Sequence, residues 1–454
     1  MKTKNDSHAK KSVRPTAIHI LNRFEKSDSY ADRLLNTEYQ KSDLSLSDKA
    51  LTTELVYGVI RNRLLLDWII SSYYRGKYSS CDIYLVNAIR IALYQILFLD
   101  RIPDSAAVNE SVEFLKRHCG IPAGRTANGI LRNFLRNRDD TRYPDKSDNY
   151  VKYLSVIYSH PEWLVKRFIE LFGTADTEKL LKRNNEIPPT SIRVNTLKFS
   201  LQELLAYLQE NDIAFLRSPW LENTILITDR NFRIASSDIF REGNITIQDT
   251  SATLVATLAA AKPQTRILDL CAAPGGKSFF LAEATGDSSS ITALDKFPIK
   301  LQAMQNEIDR LAYKSIHPTA GDAREFRSEV KYDLILCDVP CSGLGVISKK
   351  PDIKWRRTPQ EIDQMLALQQ QILNHASELV SIGGAIIYST CTIEAKENYD
   401  NIAMFLAGHP DFEIEPAENF LPKEICKDGM MQTFPHLHDT DGAFAVRLIK
   451  KKEA

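Results

Sequence analysis

Apolar residues in the first part of the chain recur at the spacing of helix faces. Apolar positions between residues 13 and 24 share one face, and those between residues 85 and 97 repeat in the same way. The run from residue 138 to 148 is almost entirely polar and contains Pro144, which is typical of a linker. The pattern therefore predicts an all-helical domain at residues 1–140.

The pattern changes twice after this linker. Residues 151–250 mix short helical stretches with strand-like runs at 191–195 and 224–227, which predicts a small α+β subdomain. Over residues 251–454, apolar runs of strand length alternate with stretches of helix length. The strand candidates are residues 267–271, 291–294, 316–320, 334–337 and 385–388. Such alternation predicts a parallel, doubly wound α/β sheet whose ligand site lies at the carboxyl ends of its strands.

Composition and charge exclude few classes of function. The chain has 58 basic and 58 acidic residues, yet residues 1–150 contain 24 basic and 18 acidic ones, a net charge of +6. This scattered excess fits an ordinary surface as well as a polyanionic partner. Residues 1–6 contain no apolar segment, and the apolar stretch 85–99 is shorter than the ~20 residues of a membrane helix. We therefore expect a cytoplasmic protein, and the cysteine spacing predicts neither disulfides nor structural zinc.

A glycine-rich turn follows the first strand candidate of the α/β segment. It consists of Cys271, Ala272, Ala273, Pro274, Gly275, Gly276 and Lys277. Glycines in such a turn let backbone N–H groups approach a ligand closely. Asp295 ends the second strand, where a carboxylate would bind ribose hydroxyls, and Asp322 follows the third, where a neighbouring group would read an adenine amino group. Together these strand ends predict a nucleoside-type cofactor site.

A phosphate-binding loop is the alternative interpretation of this turn. Gly276, Lys277 and Ser278 match the end of the G-x-x-x-x-G-K-[ST] pattern, but Cys271 stands where its first glycine belongs. The loop geometry demands that glycine, so the sequence does not favour an ATPase.

Two cysteines lie at the ends of later strands. Cys341 follows Asp338 in an Asp-Val-Pro-Cys turn, and Cys391 lies in a Ser-Thr-Cys-Thr segment. A free thiol has a pKa near ~8.5 and needs a nearby cation or helix N-terminus to become a nucleophile. Lys277 is a candidate cation, whereas Cys337, inside an apolar strand, is expected to be buried. Both exposed-turn thiols are candidate nucleophiles, and these residues alone do not decide between them.

The three motifs, in this order, resemble the Nol/Nop/Sun family of S-adenosylmethionine-dependent RNA cytosine-5 methyltransferases. The matching segments are residues 271–277, 338–345 and 389–392, with further similarity at 192–198 and 441–444. The helical domain resembles NusB through residues 93–97, 103–110 and 128–132. A NusB-like domain joined to this catalytic module is typical of the RsmB (Sun/Fmu) group of the family, which methylates one cytosine of 16S rRNA.

The resemblance implies an RNA-binding NusB-like domain, an RRM-like α+β subdomain and a class I Rossmann-like methyltransferase domain. It implies S-adenosylmethionine as cofactor, held by the 271–277 turn with Asp295, Asp322 and Asp338. It also implies that Cys391 attacks the cytosine, that Cys341 aids release and that Asp338 hydrogen-bonds the base. The expected partner is unassembled or partly assembled 16S rRNA, bound by a monomer. Two alternatives remain: a methyltransferase of the same family acting on tRNA or 23S rRNA, and a non-enzymatic NusB-like RNA-binding protein.

Two further segments invite functional interpretation. Lys349, Lys350, Lys354, Trp355, Arg356 and Arg357 surround one indole with cations and predict an RNA surface, with a solvated basic loop as the alternative. His436 and His438 suggest a metal site, but no further ligand cluster accompanies them. We expect no metal, and a structural or RNA-side loop at this position.

Overall fold

A computed structural model describes residues 12–451 of the chain. Residues 1–6, which contribute to the expectation of a cytoplasmic protein, lie outside this range. The chain folds into two compact units, Met1–Glu186 with Lys350–Arg356 and Ile187–Lys349 with Arg357–Ala454.

The first unit is helical, as the apolar periodicity predicts. Its helices are α1 (Val13–Lys26), α2 (Ala31–Tyr39), α3 (Leu46–Arg61), α4 (Arg63–Tyr73), α5 (Ile83–Phe98), α6 (Asp104–His118), α7 (Ile121–Arg136), α8 (Tyr150–Ile157) and α9 (Glu162–Asn184). Helix α5 is apolar on nearly every side and lies in the centre of the core, and its first turn is capped by the Asp82 carboxylate. Helix α9 is kinked at Gly173, where φ is 74°.

The polar run 138–148 connects two helices of the same unit. The Trp68 indole donates a hydrogen bond to the Arg142 carbonyl oxygen (2.9 Å), and the Tyr73 hydroxyl donates to the Asn137 carbonyl oxygen (2.9 Å). These bonds hold the run on the helices, and α8 beyond it packs against α4 and α9. The compact helical unit therefore extends beyond the polar run 138–148, as far as Glu186.

The second unit begins with a small antiparallel sheet in the order β2-β3-β1-β4. Its strands are β1 (Thr190–Val194), β2 (Phe215–Arg217), β3 (Thr224–Ile227) and β4 (Ile245–Ile247). Helix α10 (Leu201–Glu210) covers this sheet and begins with a capping box formed by Ser200 and Glu203. The presence of a small α+β subdomain is confirmed, but α8 and α9, which lie almost entirely within the predicted range 151–250, belong to the helical unit.

The larger sheet of the second unit has a parallel centre with antiparallel strands along one side. The order is β11-β12-β13-β9-β8-β5-β6-β7, with β10 paired to β13. Its strands are β5 (Arg266–Asp269), β6 (Ser290–Asp295), β7 (Ile316–Ala320), β8 (Tyr332–Asp338), β9 (Val380–Thr390), β10 (Phe412–Glu415), β11 (Cys426–Lys427), β12 (Met430–Gln432) and β13 (Phe444–Lys450). The predicted parallel strands are confirmed, but the sheet is mixed, because β13 pairs antiparallel with β9.

Helices pack on both faces of the parallel centre. The remaining helices are α11 (Asp238–Arg241), α12 (Thr250–Leu258), α13 (Gly276–Ala284), α14 (Pro298–Leu311), α15 (Ile353–Arg356), α16 (Pro359–Leu379), α17 (Tyr399–Gly408) and α18 (Pro435–His438). Of these, α15 belongs to the helical unit. Strand β5 lies between β6 and β8, so the strand order reverses there, which is where doubly wound folds bind ligands. In the described part of the chain no helix is both long and apolar enough to span a bilayer.

Candidate active site

The carboxyl ends of the parallel strands bring most of the predicted site residues to one edge of the sheet. The glycine turn follows β5, Asp295 ends β6, Asp338 ends β8, and Cys391 follows β9. Asp338 is in register with Ser389, so the two cysteine-bearing turns leave the sheet side by side.

The turn after β5 requires glycine at one position. Gly275 has a φ of 112°, and a Cβ there would lie 2.3 Å from the Phe279 ring. Helix α13 begins at the next residue, so the N–H groups of its first turn point towards the loop. Cys271 contributes to packing in this turn, and burial, followed by the Asp269 charge, raises the pKa of its thiol.

The acidic residues at the carboxyl ends of β6 and β7 have different surroundings. Asp295 is largely buried, and its Oδ1 accepts a hydrogen bond from the Phe297 N–H (2.9 Å). Asp322 binds Arg324 Nη2 at 2.7 Å and Lys296 Nζ at 3.1 Å. The hydrogen bond from Arg324 is the main reason that the pKa of Asp322 lies well below its usual range. Asp322 is therefore a fixed anion whose carboxylate already has two cationic partners.

Lys277 and Asp338 form an ion pair next to the two thiols. Lys277 Nζ lies 2.7 Å from Asp338 Oδ2, and the Ser389 hydroxyl donates to Asp338 Oδ1 at 2.8 Å. Burial disfavours the charged lysine, but the Asp338 carboxylate outweighs this and raises the pKa of Lys277. The lysine therefore stays charged and holds the carboxylate in place.

The structure places the two candidate thiols in direct contact. Cys341 Sγ lies 3.3 Å from Cys391 Sγ and accepts a hydrogen bond from the Cys391 N–H at 3.3 Å. Cys391 is exposed and Cys341 is half-buried. The hydrogen bond to Cys391 and burial raise the pKa of the Cys341 thiol well above its usual value, so Cys341 keeps its proton. The two thiols are chemically unequal.

A set of hydrogen bonds fixes the turn that carries Cys341. The buried Glu397 carboxylate accepts from the Ser342 N–H (2.9 Å) and from Gln369 Nε2 (2.7 Å). Gln369 Nε2 also donates to the Pro340 carbonyl oxygen (3.0 Å), and the Ser342 hydroxyl lies 2.7 Å from Thr392 Oγ1. Sequence reasoning missed Glu397 and Gln369, and the only available signal was the acidic residues just beyond Cys391.

Comparison with known proteins identifies the family. Residues 255–449 match the model of the 16S rRNA methyltransferase RsmB/F family. The chain is 35% identical over 452 residues to the probable ribosomal RNA small subunit methyltransferase B of Bacillus subtilis, covering 97% of this chain and 99% of that protein. The chain belongs to the RsmB/F family of 16S rRNA methyltransferases.

The other parts of this RsmB/F-family chain also match known domains. Residues 11–136 match the NusB family, and residues 160–231 match the ferredoxin-like domain model of RsmF/B-like methyltransferases. Ribosomal RNA small subunit methyltransferase B of Shewanella oneidensis is 32% identical, covering 91% of this chain and 93% of that protein. The crystal structure of PH0851 superposes with a TM-score of 0.80 at 27% identity, covering 98% of this chain and 100% of that one. The three-part fold predicted from the sequence is confirmed.

Residues 349–357 of this RsmB/F-family protein were predicted to form an RNA surface, but most of their side chains contact other parts of the protein. Lys354 is fully buried, and its Nζ donates to the Arg61 carbonyl oxygen (2.9 Å) and to Asn185 Oδ1 (3.1 Å). Burial, followed by the Arg61 charge, lowers the pKa of Lys354 well below its ordinary value. A buried amine with these partners cannot present a charge to RNA phosphates, so the prediction is wrong for Lys354.

The other members of the segment have separate structural contacts. The Trp355 indole donates to the Ile60 carbonyl oxygen (2.8 Å), and Arg356 Nη2 donates to the Ser29 carbonyl oxygen (3.1 Å) and lies over the Phe24 ring. Trp355 and Arg356 are half-buried, and these contacts commit both side chains to the helical unit, which disfavours their assignment to a stacking surface.

The two ends of the segment belong to the second unit. Lys349 forms ion pairs with Asp249 and Asp441, and Arg357 Nε donates to the Ser342 carbonyl oxygen at 2.8 Å. Lys350 lies between these ends and is exposed. Lys349 and Arg357 thus have roles in the fold of the unit that carries the thiols, while Lys350 remains a candidate for RNA contact.

The segment that carries His436 and His438 contacts Trp220, which lies between β2 and β3 of the small sheet. His438 Nδ1 accepts from the Phe434 N–H (2.9 Å), and the Trp220 indole donates to the His438 carbonyl oxygen (2.9 Å). Burial lowers the pKa of His438. Among residues 12–451, no three His, Cys, Asp or Glu side chains are grouped so that they could hold a metal ion.

Proposed function

We propose that this protein transfers a methyl group from S-adenosylmethionine to carbon 5 of one cytosine in 16S rRNA through a covalent adduct with Cys391. The observation that carries the proposal is the pair of thiols 3.3 Å apart, beside the ion pair of Lys277 and Asp338. Membership of the RsmB/F family supports the RNA substrate. We infer that the protein acts as a monomer on unassembled or partly assembled rRNA.

The residues at the strand ends fit the proposed cofactor. S-adenosylmethionine supplies an electrophilic methyl group on its sulfonium centre when bound. The 271–277 turn offers N–H groups at the start of α13 to a carboxylate, and Asp295 offers a carboxylate to ribose hydroxyls. Asp322 follows β7, on the side assigned to adenine.

Covalent activation explains the need for a nucleophile. Carbon 5 of cytosine is too weak a nucleophile to accept a methyl group directly, so the Cys391 thiolate first forms a bond to carbon 6. Electron density then shifts to carbon 5, while Asp338 hydrogen-bonds the amino-bearing edge of the base. After methylation, a base removes the carbon 5 proton and the bond between Cys391 and carbon 6 breaks.

The second thiol suits the release step. Cys341 keeps its proton and lies 3.3 Å from Cys391 Sγ, so it can donate a hydrogen bond to the departing thiolate. Cys391 is exposed, which favours it as the attacking group. This difference supports Cys391 as nucleophile and Cys341 as the residue that aids release.

The two roles predict opposite outcomes for two substitutions. Cys391→Ala should abolish both methylation and adduct formation. Cys341→Ala should still form the adduct but release it slowly, so protein–RNA complexes should accumulate on denaturing gels. Cys426→Ala, at a cysteine in β11, is the control and should behave like the wild type. An adduct that persists in Cys391→Ala would contradict the assignment.

Two further measurements test the substrate and cofactor. Bisulfite mapping of total RNA from cells with and without the active protein should show one cytosine of 16S rRNA that depends on it. A dependent cytosine in tRNA or 23S rRNA instead would overturn the 16S assignment.

Calorimetry should detect binding of S-adenosylmethionine, and binding of ATP in its place would favour the phosphate-loop interpretation.

A further inference from the structure

Helix α7 presents an arginine stripe on the face opposite the helical core. Its buried residues, Ala127, Ile130, Leu131 and Phe134, pack into the core of the helical unit. The exposed side carries Arg125, Arg132 and Arg136. At 100° per residue, these three lie within an arc of about 40° over roughly 16 Å of helix axis. We call them the α7 arginine stripe.

The charges of the stripe are not balanced by nearby carboxylates. The sequence from Ile121 to Arg138 contains no acidic residue, and none of the three stripe arginines forms an ion pair within residues 12–451. Arg132 has one polar side-chain partner, Asn128, which accepts from its Nε at 2.9 Å. Like charges four residues apart on a helix repel, so Arg132 and Arg136 destabilise the isolated helix slightly. An external polyanion would remove that cost.

The surface between the arginines is open. A Cβ built on Gly129 meets no atom within 4 Å, so this position leaves a shallow gap beside the stripe. A sugar-phosphate backbone can approach the helix closely there, and guanidinium groups bind phosphates through two parallel hydrogen bonds. The stripe therefore fits a run of phosphates better than an apolar partner.

We propose that the α7 arginine stripe binds the phosphate backbone of the substrate RNA. This inference rests on the proposed function, since it takes RNA as the polyanion. It differs from the predicted RNA surface at residues 349–357, because its three charges lie on one exposed helix face, whereas all the cations of that segment except Lys350 are committed to the fold. Phosphate contacts position an RNA without reading its bases, so the stripe contributes affinity and not the choice of cytosine.

A triple variant tests the stripe. Arg125→Gln, Arg132→Gln and Arg136→Gln together remove three charges without touching the core. Binding of unmodified 16S rRNA transcript should be measured over a range of salt concentrations. The slope of log affinity against log salt should become shallower by about 2 to 3, and affinity near 0.1 M salt should fall roughly 10- to 100-fold. For methylation, KM for RNA should rise while kcat at saturating RNA stays unchanged.

A matched control separates the stripe from net charge. Arg33, Arg75 and Arg101 are exposed arginines of the same unit on separate segments, and none forms an ion pair in the described part of the chain. Replacing these three with glutamine removes the same charge and should change the salt slope much less. Equal effects of the two triple variants, or a wild-type slope in the stripe variant, would overturn the inference. A wild-type protein that methylates no 16S rRNA would instead overturn the proposed function.

Discussion

The Glu397 carboxylate organises the turn that carries Cys341, one of the two thiols proposed to act in catalysis. It is fully buried, and its Oε2 accepts hydrogen bonds from Ser342 of the turn and from Gln369 of α16. Burial raises the pKa of Glu397 against the opposing effect of the Ser342 hydrogen bond. Glu397 contacts neither thiol through a hydrogen bond, so it is a positioning residue that sets where Cys341 lies relative to Cys391.

Removing this carboxylate should slow turnover more than it weakens RNA binding. Glu397→Ala leaves the Ser342 N–H and the Gln369 amide without their buried acceptor, which lets the turn shift. A shift of about 1 Å can cost roughly 10²-fold in rate, so kcat should fall about 10- to 100-fold while KM for RNA changes little. The lifetime of the covalent RNA adduct should lengthen, which simple loss of stability would not produce.

The conservative variant provides the control for this residue. Glu397→Gln keeps one oxygen that can accept both hydrogen bonds, so it should recover most of the kcat. If Glu397→Ala turns over as fast as the wild type, or if Glu397→Gln is as slow as Glu397→Ala, hydrogen bonding at this site does not position the turn.

At the scale of a single helix, α7 contains two glycines whose surroundings differ. Both Gly124 and Gly129 lie inside the helix, and neither has the positive φ that would require glycine. A Cβ on Gly124 would lie 2.5 Å from Lys116 Cγ and 3.1 Å from the Val112 carbonyl oxygen of α6, whereas a Cβ on Gly129 would meet nothing. The close approach of α6 and α7 thus requires a glycine at position 124, whereas no contact requires one at position 129.

The two glycines should therefore respond in opposite directions to alanine. Gly129→Ala should raise the free energy of unfolding by about 0.5 to 1 kcal/mol, because alanine favours the helical conformation. Gly124→Ala should lower it by about 1 to 3 kcal/mol, because the added methyl group pushes α7 away from α6. Denaturant unfolding of both variants followed by circular dichroism measures the difference. Stabilisation by Gly124→Ala would show that the contact with α6 is not tight.

On the scale of the whole molecule, the chain builds its helical unit from two distant stretches of sequence. Residues Lys350–Arg356 belong to the unit formed by Met1–Glu186. Trp355 packs beside the core of that unit, and Arg63 lies 5.2 Å from its ring centroid. This segment is part of the helical fold and is covalently continuous with the second unit at both ends.

Substitution of the indole should therefore affect stability before it affects RNA binding. Trp355→Ala removes a partly buried side chain and its hydrogen bond to Ile60, and should lower the free energy of unfolding by about 2 to 3 kcal/mol. RNA affinity of the folded protein, measured at low temperature, should stay within about twofold of the wild type. Lys350→Ala, at the exposed position of the segment, should leave stability unchanged. If Trp355→Ala instead weakens RNA binding without changing unfolding, the indole is a stacking surface.

The sequence by itself determined the order of the three folds, the parallel strands and the motifs at their ends. Periodicity, turns and glycine positions are local properties, and parallel strands necessarily bring their carboxyl ends to one edge. This is why the order of residues along the chain was enough to group the 271–277 turn, Asp295, Asp338 and the two cysteines into one site.

Only the tertiary structure decided the burial and the partners of individual charges and thiols. The contact between Cys341 and Cys391, the burial of Lys354 and the place of Glu397 depend on which distant segments pack together. A lysine in a basic run looks the same in sequence whether its amine faces solvent or a buried carbonyl oxygen. Burial and partners set the pKa and availability of each group, and both follow from packing that local sequence does not specify.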